Sequence, residues 1–265
     1  MKKRYGQHLL VDKNHLQKIV NAVNLSPDDI VIEIGAGNGL LTSLLAQKAK
    51  TVFAVEVERD ILKKLKENIN LNKLSNVEII DSDFLKLDLR KITTRPFIIV
   101  GNIPYNITSK ILIKLFGEID NPACHLSLLK NAYLMLQKEV ARRIVAKVGT
   151  KEYSPLTLMV QYFAEPKILH SVPCAVFYPP PKVDSAFVAF YTREKLQEVK
   201  NPALLKSIIR TSFQQRRKMI INSLGKLFKN KSIVKKIFNQ VNLDPALRAE
   251  DLSFNQYLTI SNVTV

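Results

Sequence analysis

The sequence predicts an α/β protein with a mostly parallel sheet, helices on both faces of that sheet, and a small all-helical C-terminal segment. Two observations support this prediction. Short apolar runs typical of strands alternate with stretches whose apolar residues recur at helical spacing. This alternation starts near residue 30 and continues to about residue 191. After Asn201-Pro202 no further strand pattern occurs, and the apolar residues recur only at helical spacing.

The first half of the chain contains a regular succession of these patterns. A helix over residues 16–23 precedes the first strand and ends before the turn signal at residues 26–29. The expected strands are 30–32, 52–55, 77–80 and 97–100, and the expected helices are 40–49, 61–69 and 109–116. Because strands and helices alternate, consecutive strands are expected to run parallel.

The second half is less regular and ends in helices. It contains an expected strand near 133–136, helices at 139–147 and 156–163, a short strand near 168–169, a proline corner at 179–181, and an alternating strand at 186–191. We place a domain boundary near residues 194–201. The predicted domains are residues 1–197 and a basic helical domain of residues 198–265.

Length and composition exclude several classes of protein. The chain has 265 residues, 46% of them hydrophobic, which is typical of a globular protein rather than a disordered one. No apolar run is as long as a membrane span, and the N-terminus turns polar at Gln7-His8 before a signal-peptide core forms. The two cysteines lie far apart, so we expect neither a disulfide framework nor a zinc knuckle. A cytoplasmic protein is predicted.

The charge of the chain points to a polyanionic partner. The formal net charge is +17 and the pI is about 9.8, which favours nucleic acid. A solvated lysine-rich face or a patch for anionic lipid remains an alternative. The uneven distribution adds weight to nucleic acid, since cations cluster at Lys2-Lys3-Arg4, at Arg216-Arg217-Lys218 within a predicted helix, and between residues 226 and 236.

A glycine-rich loop follows the first strand of the alternating region. Gly35, Gly37 and Gly39 let the backbone turn tightly and approach a ligand. Their G-x-G-x-G spacing differs from the dinucleotide fingerprint G-x-G-x-x-G. Glu56 ends the second strand, where a carboxylate can accept ribose hydroxyls, and Asp83 follows the third, where it can accept an adenine amine. This set suits S-adenosylmethionine better than NAD, although both acids have the ordinary alternative of surface loops.

Asn102-Ile103-Pro104-Tyr105 follows the buried run at residues 97–100 directly. An Asn carboxamide at a strand end, with an aromatic ring three residues later, suits a site that grips a planar amine. The amide oxygen accepts a hydrogen bond while the ring stacks on the base. The tetrapeptide therefore indicates chemistry on an exocyclic amino group. The alternative is a strand end followed by a turn with proline at its first corner.

The motifs together resemble those of the KsgA-type ribosomal RNA small-subunit adenine dimethyltransferases, which are related to the Erm methylases. Residues 6–10 are similar to the family's G-Q-x-F-L motif, 33–39 to its glycine loop and 102–105 to its N-[LI]-P-Y motif. Residues 177–185 are similar to its F-x-P-x-P-K-V-x-S segment and 213–218 to its F-x-x-R-R-K segment. Leu9 stands where the family usually has Phe, a swap that alters packing more than chemistry.

The resemblance implies a class I S-adenosylmethionine-dependent methyltransferase fold and a monomeric enzyme that needs no metal. Its implied activity is N6,N6-dimethylation of two adjacent adenosines near the 3′ end of small-subunit ribosomal RNA, free or in a pre-30S particle. The implied site residues are as follows: for catalysis Asn102, Ile103, Pro104, Tyr105 and Phe177; for the cofactor His8, Leu10, Gly35, Gly37, Glu56, Asp83 and Asn102; for RNA Arg216, Arg217 and Lys218. Tyr105 and Phe177 are expected to stack on the two faces of the target adenine.

Two other functional classes remain open from sequence. Related Asn-Pro-Pro-Tyr motifs serve DNA adenine methylases and protein glutamine methylases, although the chain has no large target-recognition insert and is strongly basic. A non-catalytic RNA-binding assembly factor with a methyltransferase fold is the second class. The presence of Glu56, Asp83 and Asn102 together argues against loss of catalysis.

Overall fold

The fold is described by a computed structural model for residues 8–264. Lys2-Lys3-Arg4 and Gly6-Gln7, which belong to the predicted N-terminal basic arm and motif, lie outside these residues. Within residues 8–264, no helix combines the length and apolar character needed to cross a membrane.

The chain divides into two compact units. The first contains the residues up to Phe116, then Ala123–Ala141 and Glu165–Thr192, and the second contains Gly117–Pro122, Arg142–Ala164 and the residues from Arg193 onward. No local sequence pattern indicates that the two earlier segments of the second unit belong with the C-terminal helices. The division into 1–197 and 198–265 stays a prediction.

The strands and helices follow the predicted order through most of the chain. The strands are β1 Leu9–Leu10, β2 Ile30–Ile34, β3 Thr51–Glu56, β4 Val77–Asp81, β5 Phe97–Asn102, β6 Gly117–Glu118, β7 Asn121–Pro122, β8 Leu129–Gln137, β9 Ala164–Val172, β10 Phe177–Tyr178 and β11 Ser185–Thr192. The helices are α1 Lys13–Val23, α2 Leu40–Ala46, α3 Arg59–Leu71, α4 Leu89–Ile92, α5 Thr108–Phe116, α6 Lys138–Ile144, α7 Pro155–Phe163, α8 Pro202–Gln214, α9 Ile220–Leu227, α10 Lys231–Gln240 and α11 Phe254–Val263.

In the first unit the main sheet has the strand order β4-β3-β2-β5-β8-β11-β9. Strands β4, β3, β2, β5 and β8 pair in parallel, and β11 pairs antiparallel with β8. The chain moves outward from β2 to β4 and then returns to place β5 on the other side of β2. Ligands in open α/β sheets bind in the crevice at such a reversal of strand order, beyond the carboxyl ends of the strands.

Helix α1 shows how the local sequence builds the packing around this crevice. Asp12 begins the helix because its side chain accepts a hydrogen bond from the His15 backbone N–H at 2.8 Å. The buried face carries residues at positions 16, 19, 20 and 23, which are three or four apart. This face joins α2 and the sheet in one hydrophobic cluster of the first unit.

Several elements differ from the sequence-based expectation. Strand β11 was expected to alternate, but six consecutive residues from Ser185 to Phe190 are buried, because it lies between β8 and β9 and is covered on both faces. Strand β9 is longer than the short strand expected at residues 168–169. Helix α2 ends at Ala46 and α6 at Ile144, both three residues early.

The second unit packs its helices around aromatic side chains. Tyr257 on α11 is fully buried, and its hydroxyl donates a hydrogen bond to the Ala249 carbonyl at 2.7 Å. The Phe213 ring lies 6.2 Å from the ring of Tyr153 and 6.4 Å from that of Tyr257. Buried tyrosines need such a partner for the hydroxyl, so this bond fixes how α11 packs within the unit.

Candidate active site

The ends of β2 and β5 bring the glycine loop and the Asn102 motif together. The two strands are neighbours with Ile34 opposite Gly101, so Gly35 and Asn102 leave the sheet side by side. A Cβ placed on Gly35 would lie 3.6 Å from the backbone carbonyl oxygen of Asn102. The two motifs, which are 67 positions apart in sequence, therefore form one wall.

The glycine loop requires glycine at its centre for two reasons. Gly37 has a φ of +59°, in the left-handed region that L side chains rarely adopt. A Cβ there would also lie 2.8 Å from the Leu9 Cδ2 atom, so the Leu9 side chain would have to move to admit a methyl group. The loop is thus pressed against β1, and its backbone stays exposed to the pocket.

Glu56, at the end of β3, fastens the glycine loop to the neighbouring strand. Its side chain is 2% exposed. One carboxylate oxygen accepts the Gly37 N–H at 2.9 Å, and the other accepts the N–H groups of Val57 at 2.8 Å and Glu58 at 3.0 Å. Both oxygens therefore face backbone donors, and the carboxylate positions the loop that forms the pocket wall.

Two adjoining pockets lie at this edge of the sheet. One contains about 440 Å³ of open space and the other about 390 Å³, and both are lined by Leu9, Gly35, Gly37 and Asn102. Glu33 and Leu10 line the first pocket only, and the second is completed by His8, Glu56, Ile103, Pro104 and Tyr105. The pockets lie at the carboxyl edge of the parallel strands, where open α/β sheets bind their ligands. Glycine backbone that a Cβ would obstruct, beside a buried carboxylate, fits a nucleoside-type cofactor such as S-adenosylmethionine.

Asn102 and Tyr105 contact the same residue at the mouth of the second pocket. The Asn102 Nδ2 group donates a hydrogen bond to the His8 backbone carbonyl at 2.7 Å. The rings of His8 and Tyr105 are stacked, with centroids 5.8 Å apart. The Tyr105 hydroxyl lies 2.5 Å from the Ser185 hydroxyl, and burial raises the pKa of Tyr105. The tyrosine is thus a neutral, anchored ring.

Asp83 and Phe177 are placed differently from the other predicted site residues. Asp83 follows β4, its Oδ1 atom accepts the Leu85 N–H at 3.0 Å, and the residue lines neither of the two pockets. Phe177 is only 3% exposed, pairs with Leu10 between β1 and β10, and packs in the hydrophobic cluster. Because the side chain is buried within this cluster, neither face of its ring is open to a base. The neighbouring Tyr178 is 66% exposed.

Sequence reasoning gave no separate role to Glu33, which the structure places in the wall of the first pocket. It is 1% exposed on β2, and its Oε2 atom accepts a hydrogen bond from the Thr42 hydroxyl at 2.6 Å. Burial raises the pKa of the Glu33 carboxyl to about 8, and the nearby Glu56 charge adds to this effect. An acid inside an otherwise apolar strand was the sequence signal that could have identified it.

The buried acid makes stability depend on pH. Because the pKa of Glu33 is raised in the folded protein, its contribution to stability is full below about 4.5 and is lost as the pH rises towards about 8. We expect the free energy of unfolding of the wild type to fall relative to Glu33→Gln across this range, by at most ~1.4 kcal/mol per pH unit. Urea denaturation without cofactor measures it. Glu78→Gln, an exposed acid on β4, is the control, and a pH-independent difference for Glu33→Gln would contradict the prediction.

The sequence predicted a helix for the basic residues Arg216, Arg217 and Lys218. This prediction is wrong, because they lie in the turn between α8 and α9. The helix ends at Gln214. Arg216 Nε lies 3.3 Å from Glu250 Oε2 without hydrogen-bond alignment, and Arg216 Nη2 donates to the Thr150 carbonyl at 3.1 Å. Arg217 and Lys218 are exposed. The turn therefore separates one structural cation from two that face solvent.

In the part of the chain that the structure describes, no three His, Cys, Asp or Glu side chains are grouped so that they could hold a metal ion.

Comparison with known proteins identifies the family. Residues 1–264 match the family described as ribosomal RNA adenine dimethylase. The chain belongs to this family. The predicted resemblance is thereby confirmed, and so is the predicted enzyme class, an S-adenosylmethionine-dependent rRNA adenine dimethyltransferase.

Two similar proteins align with nearly the full length of this enzyme. The ribosomal RNA small subunit methyltransferase A of Caldanaerobacter subterraneus is 39% identical, over 98% of this chain and 96% of the relative. The protein of the same name from Bacillus mycoides is 38% identical, over 100% of this chain and 91% of the relative.

Two solved structures confirm the fold class. A dimethyladenosine transferase from Plasmodium falciparum has a TM-score of 0.78 and 28% identity, with 96% of each chain covered. The 23S rRNA methyltransferase ErmE has a TM-score of 0.74 and 28% identity, covering 96% of this chain and 98% of that one. The class I methyltransferase fold predicted from sequence is therefore correct.

Proposed function

We propose that this enzyme dimethylates the N6 amines of two adjacent adenosines near the 3′ end of small-subunit ribosomal RNA. The observation that carries the proposal is the position of Asn102, which lies beside the glycine loop and lines both pockets. An amide at this point reaches a methyl donor on one side and a target base on the other. Family membership favours this activity over a DNA or protein methylase and over a non-catalytic assembly factor.

The chemistry requires the chain to activate a weak nucleophile. The lone pair of the adenine amine is delocalised into the ring, so the nitrogen attacks poorly unless positive charge on it is stabilised. The Asn102 Oδ1 atom and the Ile103 carbonyl oxygen are proposed to accept hydrogen bonds from the two N–H groups of the amine. When bound, S-adenosylmethionine supplies an electrophilic methyl group on its sulfonium sulfur. Such an electrophile needs no Lewis acid, so we propose that the enzyme uses no metal.

The cofactor is proposed to lie between the glycine loop and Glu56. His8, Leu10, Gly35, Gly37, Glu56 and Asn102 all line one or both pockets, which supports their proposed contact with it. The Glu56 Oε2 atom, which accepts one backbone N–H rather than the two that Oε1 accepts, is the carboxylate oxygen proposed to accept a ribose hydroxyl. For Asp83, whose Oδ1 caps a turn, the Oδ2 atom is the one proposed to accept the cofactor's adenine amine.

The target base is proposed to stack on Tyr105, next to Pro104. The adenine must be unpaired or extruded to enter a pocket of this kind, and the second methylation requires room for the monomethyl product. The stacking role of Phe177 stays a prediction, and it requires the buried ring to turn out of the core. Pro179 and Pro180, which follow Phe177 and are exposed, shape the neighbouring surface.

The ring of Tyr105, rather than its hydroxyl, is expected to matter for base capture. Tyr105→Phe keeps the stacking surface and loses only the bond to Ser185, so the KM for RNA should rise less than about threefold. Tyr105→Ala removes the stacking surface, which is worth roughly 1 to 3 kcal/mol, and the KM should rise about 5- to 150-fold. Steady-state methyl transfer measures both. Equal losses in the two variants would contradict the stacking role.

RNA affinity is expected to depend on Arg217 more than on Arg216. Arg217→Ala removes an exposed cation, and we expect weaker RNA binding and a log K against log salt slope reduced by about 1. Arg216→Ala is the matched comparison, because this side chain already pairs with Glu250 and Thr150. It should lower the melting temperature and leave the salt slope unchanged. Filter binding at several salt concentrations distinguishes the two, and a reversed pattern would contradict the assignment.

We propose that the enzyme acts as a monomer in the cytoplasm, on free small-subunit RNA or on a pre-30S particle, without membrane association. The basic helical region of residues 198–265 is proposed to contact RNA phosphates, which set register without reading bases.

Methyl transfer to three substrates tests the proposed function. The enzyme is incubated with labelled S-adenosylmethionine and unmethylated small-subunit RNA or subunits, duplex DNA, or a release-factor protein. We expect label only in the RNA, and mass spectrometry should identify N6,N6-dimethyladenosine. Labelling of DNA or protein alone would overturn the proposal. Absence of cofactor binding in calorimetry would favour the assembly-factor alternative.

A further inference from the structure

The carboxamide of Asn102 is held in one of its two possible orientations by the main chain of His8. The Asn102 Nδ2 group lies 2.7 Å from the His8 carbonyl oxygen. A carbonyl oxygen only accepts hydrogen bonds, so the NH2 end of the amide must face it and the Oδ1 end must face away. The partner therefore determines which way the amide points.

This orientation matters because the two ends of an amide have opposite roles. Adenine's exocyclic amine is a donor, and only the Oδ1 end of Asn102 can accept from it. Rotation of the amide by 180° would place an NH2 group against the amine, and two donors would then face each other. The His8 carbonyl removes this alternative before the substrate arrives.

The side chain of His8 holds that carbonyl in place. Its ring stacks on Tyr105, with centroids 5.8 Å apart and an interplanar angle of 25°. Its Nδ1 atom lies 2.6 Å from the Pro179 carbonyl oxygen, and since that oxygen only accepts, Nδ1 carries the hydrogen. The pairing of Leu9 with Tyr178 continues the attachment along β1. The contacts of the His8 side chain and the pairing of the next residue, Leu9, therefore hold the His8 backbone in place.

We propose that His8 is a positioning residue for methyl transfer. Its main-chain carbonyl orients the Asn102 amide, and its imidazole anchors that carbonyl through Tyr105 and Pro179. The inference rests on the proposed function and goes beyond the cofactor contact predicted for His8 from sequence. It also places His8 on one face of the Tyr105 ring, so the opposite face is the one left for the target base.

Single-turnover methylation and cofactor binding, measured on the full-length protein, test the proposal. We expect His8→Ala to slow methyl transfer to small-subunit RNA about 10- to 100-fold, as small misplacements of catalytic groups do. The Kd for S-adenosylmethionine, measured by calorimetry, should rise far less than the rate falls, because His8 is only one of several proposed cofactor contacts and the others are kept. His8→Phe retains the stacking ring and should recover part of the rate. His15→Ala, the same substitution on α1 away from the pockets, is the control and should keep the wild-type rate.

A double-mutant cycle shows whether His8 acts through Asn102. If it does, His8→Ala should slow the Asn102→Ala enzyme by no more than about twofold, because the amide that it orients is already absent. The proposal is overturned by a wild-type rate in His8→Ala, by a rise in cofactor Kd that accounts for the whole loss, or by multiplicative effects in the double variant. A wild-type enzyme that labels no RNA would instead overturn the proposed function.

Discussion

Asn102→Ala is expected to slow methyl transfer about 10²- to 10³-fold, the loss typical of removing one preorganised polar group from a reacting centre. The alanine cannot accept a hydrogen bond from the amine, so positive charge on the attacking nitrogen is no longer stabilised. Cofactor affinity should change far less than the rate, because the glycine loop and Glu56 remain in place. Single-turnover rates and calorimetric Kd values separate the two effects.

The same substitution at Asn106 provides the control. Asn106 lies four positions further along the chain and is exposed, so its loss should leave both the rate and the cofactor Kd unchanged. Wild-type turnover by Asn102→Ala, or a drop in rate that merely follows a loss of cofactor binding, would show that Asn102 takes no part in the chemical step.

Glu56→Gln is expected to weaken S-adenosylmethionine binding about 10- to 100-fold and to lower the melting temperature. Both carboxylate oxygens accept backbone N–H groups, one from Gly37 and the other from Val57 and Glu58. A glutamine must turn its NH2 end towards one of these donors. An unmade hydrogen bond at a buried site costs roughly 1 to 3 kcal/mol, and the loop that forms the pocket wall loses its attachment. Calorimetry and thermal denaturation measure the two effects.

Glu67→Gln makes the same chemical change at an exposed position of α3 and serves as the control for Glu56→Gln. It should leave affinity and melting temperature at the wild-type values. A Glu56→Gln protein with normal cofactor affinity would show that the carboxylate neither holds the loop nor contacts the ligand.

The core of the site was accessible from sequence because its parts lie at strand ends. Gly35, Glu56 and Asn102 follow three apolar runs, and parallel strands bring their carboxyl ends to one edge of a sheet. The strand pairings of Ile34 with Val55 and with Gly101 realise this arrangement. The family motifs also lie in continuous stretches of sequence, so the enzyme class can be predicted from the sequence.

Three features depended on contacts between distant residues. Phe177 is buried because β10 pairs with β1, and no local pattern indicates that pairing. The charge state of Glu33 depends on the low dielectric of the surrounding sheet and on Thr42, nine residues away. The different surroundings of Arg216 and Arg217 depend on Glu250 and Thr150, which pack against one side of the turn.

The α/β class, the family and the residue types that perform the chemistry can be predicted from the amino-acid order, because periodicity and motif spacing are local properties of the chain. The folded protein is needed to show which end of the Asn102 amide faces the pocket, which aromatic rings are free, and which acid is buried. Hydrogen-bond direction, exposure and pKa depend on neighbours supplied by other segments, and only the folded chain brings those neighbours together.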